Sequence, residues 1–139
     1  MPAYYTVDTD LKVVFVIHLG NVDDKEALAE NEKLGSDPLI TPELSYFVDL
    51  REAKSEMRTT AMLHRLAEQA KQWRGDSSSG SRVAILVARD ISFGLARMFE
   101  VYTDVDENNF RVFREIHEAA DWLGIPVSAV EKVRASINQ

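Results

Sequence analysis

The run Val13-Val14-Phe15-Val16-Ile17 constrains this chain more than any other stretch. Successive side chains of a β-strand point to opposite faces, so this segment offers apolar groups on both. Both faces must then be covered, which predicts a central strand with helices on each side of the sheet. His18 and Leu19 extend the run, and Gly20-Asn21 ends it. Tyr4 to Val7 reads as a shorter aromatic and β-branched strand. The link Thr9-Asp10-Leu11-Lys12 is short enough to join the two strands as an antiparallel hairpin.

Helix and strand signals then alternate. Asp23 to Leu34 reads as a surface helix with a thin stripe of Ala27, Leu28 and Leu34. Asp23 and Asp24 sit near its positive end and Gly35 supplies the expected stop. Tyr46 to Leu50 is a third strand. Met57 to Trp73 is the longest helix, with Leu63, Leu66, Ala70 and Trp73 at helical spacing. Gly75 to Ser81 is a polar loop within one domain. Val83 to Val87 is a fully apolar fourth strand, Ser92 to Val105 a helix, and Phe110 to Phe113 a short fifth strand. Ile116 to Leu123 and Pro126 to Ile137 close the chain as helices, one ended by Gly124 and the other opened by Pro126.

Long connections after the second strand require parallel pairing through crossover helices. The expected fold class is therefore α/β, a mixed, mostly parallel five-stranded sheet flanked by helices. The 139 residues suit a single domain spanning 1–139. Hydrophobic residues at 45% provide for a core.

Composition sets several chemistries aside. The sequence has no cysteine, which excludes disulfides, thiolate nucleophiles and cysteine-ligated zinc. Net charge is −7, from 16 basic and 23 acidic residues, so no nucleic-acid partner is expected. The first residues lack the pattern of a signal peptide, and no apolar run approaches a membrane span. A cytoplasmic protein without membrane insertion is expected.

Three stretches carry a family resemblance: Val14 to Leu28; Tyr46 to Arg51 running on to Leu66; and Gly94-Leu95-Ala96-Arg97-Met98 with Phe110-Arg111-Val112-Phe113 and Ala119-Ala120-Asp121-Trp122-Leu123. The chain resembles the SpoIIAA-like branch of the STAS superfamily, named for sulfate transporters and anti-sigma-factor antagonists. The resemblance covers roughly Tyr4 to Gly124. It implies a helix-backed sheet, bacterial cytosol and frequent dimerisation, and it brings no established reaction. Anti-sigma antagonists carry a phosphorylatable serine in an Asp-Ser-Ser-Gly-like sequence after the third strand. Met57-Arg58-Thr59-Thr60-Ala61 stands there in this chain and keeps two hydroxyls, but not the acidic residue, the serines or the glycine.

The candidate residues form three groups. Thr59 and Thr60, with Ser55 upstream, stand at an expected helix N-terminus, where free N–H groups favour a phosphate and Arg58 is available to pair with it. The plainer role of such hydroxyls is capping. The second group is the rim at the C-terminal ends of the parallel strands, where open α/β sheets bind ligands. It collects His18, Gly20, Asn21, Asp49, Arg51, Arg89 and Asp90, and their convergence would suit a small anionic or amphipathic ligand. Taken singly, Asp49 and Arg51 read as a loop salt bridge and His18 as a half-buried residue satisfied by backbone.

The third group is the helix Ser92–Val105, apolar around more than half its circumference through Phe93, Leu95, Met98, Phe99 and Tyr102. A second apolar face needs another helix, a second copy of the chain or a lipid-like ligand. A homodimer is the expected use, as a regulatory or protein-interaction domain. The alternative is a small-ligand or lipid-binding module, as in the related CRAL-TRIO group.

No enzyme, metal or cofactor motif is complete. Asp104, Asp106, Asn108 and Glu115 follow the spacing of a calcium loop, but Asn109 stands where glycine is needed and Arg111 where an apolar residue sits. His117-Glu118-Ala119-Ala120-Asp121 ends on aspartate, one histidine short of a zinc-peptidase helix. The loop Gly75–Ser81 lacks the lysine of a phosphate-binding loop.

Overall fold

A computed structural model describes residues 3–54, 58–74, 81–88 and 109–137. The hairpin comes first: β1 (Ala3–Asp8) and β2 (Val13–His18) pair antiparallel, from Ala3 opposite His18 to Asp8 opposite Val13. In the connecting turn, Asp8 Oδ1 accepts from the Leu11 amide at 2.9 Å and Lys12 adopts a left-handed φ of 59°. α1 (Asp24–Ser36) leads to β3 (Ser45–Asp49), and α2 (Thr60–Arg74) follows. Then come β4 (Val83–Leu86), β5 (Phe110–Phe113), α3 (Ile116–Leu123) and α4 (Val127–Ile137). Strand order is β1-β2-β3-β4-β5, with every pair after the first parallel. This is the mixed, mostly parallel α/β sheet that the apolar runs predict.

Every residue of Val13–Ile17 is buried, as a strand covered on both faces requires. Val14, Val16, Tyr46, Val83, Ile85 and Phe110 form one core layer with Leu34 of α1. Val13, Phe15, Phe47, Ala84 and Leu86 form the other, beneath Ala119, Ala120 and Val130 of the C-terminal helices and Ile125 of the turn between them. The rings of Phe15 and Phe47 lie 6.2 Å apart at the centre of that layer. Burying each side chain contributes roughly 1.5–3 kcal/mol. α2 packs on α1 through Leu66 against Val22 and Ala27, and Asn31 and Gln69 cross-link the pair by donating to the carbonyls of Leu66 and Leu28.

Two helix ends differ from expectation. α1 passes through Gly35 and stops at Asp37, which is extended at ψ 118°. Pro38 is the reason, because a residue preceding proline is pushed out of the helical region. α2 begins at Thr60 rather than Met57, since Thr59 caps it: the Met62 amide donates to Thr59 Oγ1 at 3.1 Å. At α3 the glycine stop holds. Gly124 has φ 76°, and the amides of Gly124 and Ile125 return to the carbonyls of Asp121 and Ala120. Ile125 buries its side chain as the chain turns, completing a Schellman-type end.

Candidate functional site

Two loops leave the C-terminal ends of β2 and β3 side by side. The Gly20 amide donates to the Glu52 carbonyl at 2.9 Å, and the Lys54 amide donates to the Gly20 carbonyl at 2.7 Å. Gly20 makes this approach at φ 69°, which glycine adopts without strain. The rim is thus locally tied by backbone, and its side chains divide between the two faces of the sheet.

On one face is His18. It shares the side of Val14 and Val16, and its Nε2 lies 2.6 Å from Glu30 Oε1 on α1. Glu30 is 7% exposed and its second oxygen, Oε2, is buried with no hydrogen-bond partner among the described residues. Tyr5, on the neighbouring strand, donates to Asp37 Oδ2 at 2.7 Å. Burial, that hydrogen bond and the negative charges of Asp37 and Glu30 push its phenol up to about 12. The Tyr5 hydrogen bond and one from the Leu39 amide hold Asp37 below the usual carboxylate range.

On the other face is Asp49, which shares the side of Phe47 and is 3% exposed. It accepts from the Arg51 amide at 3.1 Å and takes a bidentate fork from the Arg51 guanidinium, Nε at 3.0 Å and Nη2 at 2.8 Å. The bond to Asp49 is the main reason that Arg51 is held above the usual arginine range. Arg51 also lies 3.9 Å from Glu131 of α4. One residue on, Glu52 receives Arg134 of the same helix through a second fork, with Nη2 at 2.8 Å from Oε1 and Nε bonded to Oε2. That fork keeps the Glu52 carboxyl below its ordinary range.

Ile17 stands opposite Asp49 in the β2–β3 register, so His18 and Asp49 leave adjacent strands on opposite sides of the sheet. Of the predicted rim residues, Asp49 and Arg51 pair with each other, and His18 stands apart from them across the sheet. Asn21 is exposed in the loop after β2, while Arg89 and Asp90 lie outside the described residues. Thr59 and Thr60 are exposed at the start of α2, and Ser55 lies outside the described residues. Arg58 is already engaged, donating to Asp24 Oδ1 at 2.6 Å and to the Val22 carbonyl at 2.8 Å. Phe93, Leu95, Met98, Phe99 and Tyr102 also lie outside the described residues, as does the acidic stretch 104–108.

Glu30, Glu131 and Arg134 were not among the residues the sequence singles out. Glu30 left a trace there, a carboxyl group in register with Ala27 and Leu34 on the buried stripe of α1. The partners on α4 left none. Among the described residues no group of three or more metal-ligating side chains is assembled, and no helix is long and apolar enough to cross a membrane.

No family model and no curated protein matches the chain. Among solved structures, it is similar to an uncharacterised protein of the DUF3478 family with a SpoIIAA-like fold, from Shewanella loihica PV-4. That likeness covers 87% of this chain and 91% of the other, with a TM-score of 0.55 and 16% identity. The fold is SpoIIAA-like. The likeness extends to the layered sheet and its flanking helices, and it is one of fold. Within the SpoIIAA-like frame, the paired charges on the two sides of the rim are features of this chain's own residues.

Proposed function

We propose that this chain is a non-enzymatic regulatory domain that acts by binding other proteins through its surface. One observation carries the reading. The described rim side chains are engaged in pairs, His18 hydrogen-bonded to Glu30 and Asp49 to Arg51, on opposite faces of the sheet. A catalytic centre needs such groups aimed at one reacting atom. The SpoIIAA-like fold, with its resemblance to anti-sigma antagonists, supports the same reading by analogy. Self-association belongs to it, through the apolar sequence of 92–105, as does residence in the bacterial cytoplasm. Thr60, with its exposed side chain, is the hydroxyl at which a phosphate would act, because Thr59 already accepts from the Met62 amide.

A second reading has its own observation. Among the described residues no donor meets Glu30 Oε2, buried between α1 and the sheet, and a small ligand with a hydroxyl or ammonium group would satisfy it. Native mass spectrometry of the protein purified gently from its host separates the two. An unmodified or phosphorylated dimer, or a complex with another protein, supports the interaction reading. A monomer carrying a stoichiometric small molecule overturns it in favour of ligand binding.

A further inference from the structure

The end of the sheet opposite the rim carries a different arrangement. Arg82 immediately precedes β4, and Arg111 is the second residue of β5. Ala84 stands opposite Arg111 in the parallel register, so Arg82 and Arg111 lie on one face of neighbouring strands, along a diagonal. Both guanidiniums lie against the Trp122 indole of α3, Arg82 at 5.1 Å and Arg111 at 6.0 Å from the ring centroid. Arg82 is held there from both ends: its amide donates to Ser45 Oγ at 3.0 Å and its Nη1 to the Trp122 carbonyl at 2.8 Å. Trp122 is braced in turn by Phe113, with ring centroids 5.6 Å apart.

Neither guanidinium has a carboxylate partner among the described residues. Ion pairs of this protein engage His18, Arg51, Arg58 and Arg134 instead. Glu118 and Asp121, on the same helix as Trp122, pair with neither arginine. In a chain of net charge −7, two exposed cations are thus kept around one aromatic ring with no counter-charge among the described residues. Arginine and tryptophan are also the side chains that most often dominate binding energy at protein interfaces.

We propose that Arg82, Arg111 and Trp122 form the docking point for an acidic, extended segment of a partner protein. This rests on the interaction reading above and names the chemistry of the partner. The two backbone positions suit an extended peptide that carries more than one carboxylate. Diagonal neighbours on adjacent strands are about 7–8 Å apart at the backbone. In an extended segment, carboxylates two residues apart are separated by about 6.5–7 Å. Each guanidinium then receives one carboxylate in a fork, and the indole covers the aliphatic part of the segment between them. The net negative charge of the rest of the chain repels an acidic partner elsewhere and directs it to this point.

The test uses a synthetic peptide alternating Glu and Thr, followed by NMR of the two tryptophan indole N–H groups, with inorganic phosphate as the second probe. The expected result is a saturable shift of the Trp122 indole with peptide, weakened by added salt. Arg82→Gln/Arg111→Gln is expected to weaken binding by about tenfold or more. Arg82→Lys/Arg111→Lys, which keeps the charge but loses the fork, falls between. The proposal is overturned by no saturable shift, or by equal binding to a folded Gln variant. Saturation by phosphate with the peptide inert, or a dimer that dissociates in the Gln variant without any peptide, overturns it equally by naming another occupant. Failure here with a protein complex still present in the native mass spectrum leaves the interaction reading standing. A bound metabolite in that spectrum sinks the reading whatever the peptide does.

Discussion

Glu30 reaches from α1 to the end of β2 and meets His18 at 2.6 Å, with its other oxygen buried and unmatched among the described residues. The imidazole is thus the hydrogen-bond partner of a carboxyl group that solvent barely reaches. Removing it leaves the carboxyl group buried alone, a larger loss than that of an average surface hydrogen bond.

His18→Phe is expected to lower stability by about 2–3 kcal/mol, and adding Glu30→Leu to recover part of that loss. Urea denaturation of the two single variants and the double variant gives the coupling between them. A loss under about 0.5 kcal/mol for His18→Phe would show that the pair does not support the fold.

Tyr5 gives an alkaline signature. Its phenol is pushed from 10.0 to about 12, so the folded protein holds that proton more tightly than the unfolded chain does. The stability gained is fully present below the ordinary tyrosine pKa of about 10. It is lost as pH rises toward about 12. Phenolate absorbance of the native protein should include a late step from Tyr5, and that step should vanish in Tyr5→Phe. A wild-type curve that Tyr5→Phe merely scales down would contradict the assignment.

At the acid end, Glu52 works in the opposite sense. Arg134 lowers its carboxyl pKa, so its contribution is present above the unfolded value and is lost as pH falls through the lower folded value. Arg134→Gln should return the Glu52 carboxyl towards its ordinary range in a carbon-detected NMR titration. Amide exchange at the C-terminal end of α4 should also quicken, because the fork ties that helix to the loop after β3. An unmoved Glu52 titration would mean that the fork does not form in solution.

Thr59 and Thr60 are adjacent hydroxyls with different duties. Thr59→Ala removes the cap on the Met62 amide and should cost about 1 kcal/mol, whereas Thr60→Ala should stay within about 0.5 kcal/mol. Thermal melts of both variants check the contrast. Equal losses would show that the hydrogen bond from Met62 is not what starts α2.

The arrangement of elements was legible because each follows from local chemistry. The run Val13–Ile17 is apolar on both faces, and only a doubly covered strand satisfies it. Gly124 stops α3 because glycine accepts the left-handed turn at φ 76°. Gly35 carried the same sequence signal but not the same outcome, since Pro38 set the end of α1.

By itself, the sequence determined which segments are strands and helices, that the sheet is mostly parallel, and that Val13–Ile17 is an interior strand covered on both faces. Periodicity and turn chemistry act over a few residues, so they can be read along the chain. Tertiary structure decided what the rim could be. Strand register sent His18 and Asp49 to opposite faces, and helix packing brought Arg134 to Glu52 across 82 positions. Those outcomes depend on how covered strands and helices stack in three dimensions, and no local pattern encodes which distant side chain will meet a buried charge.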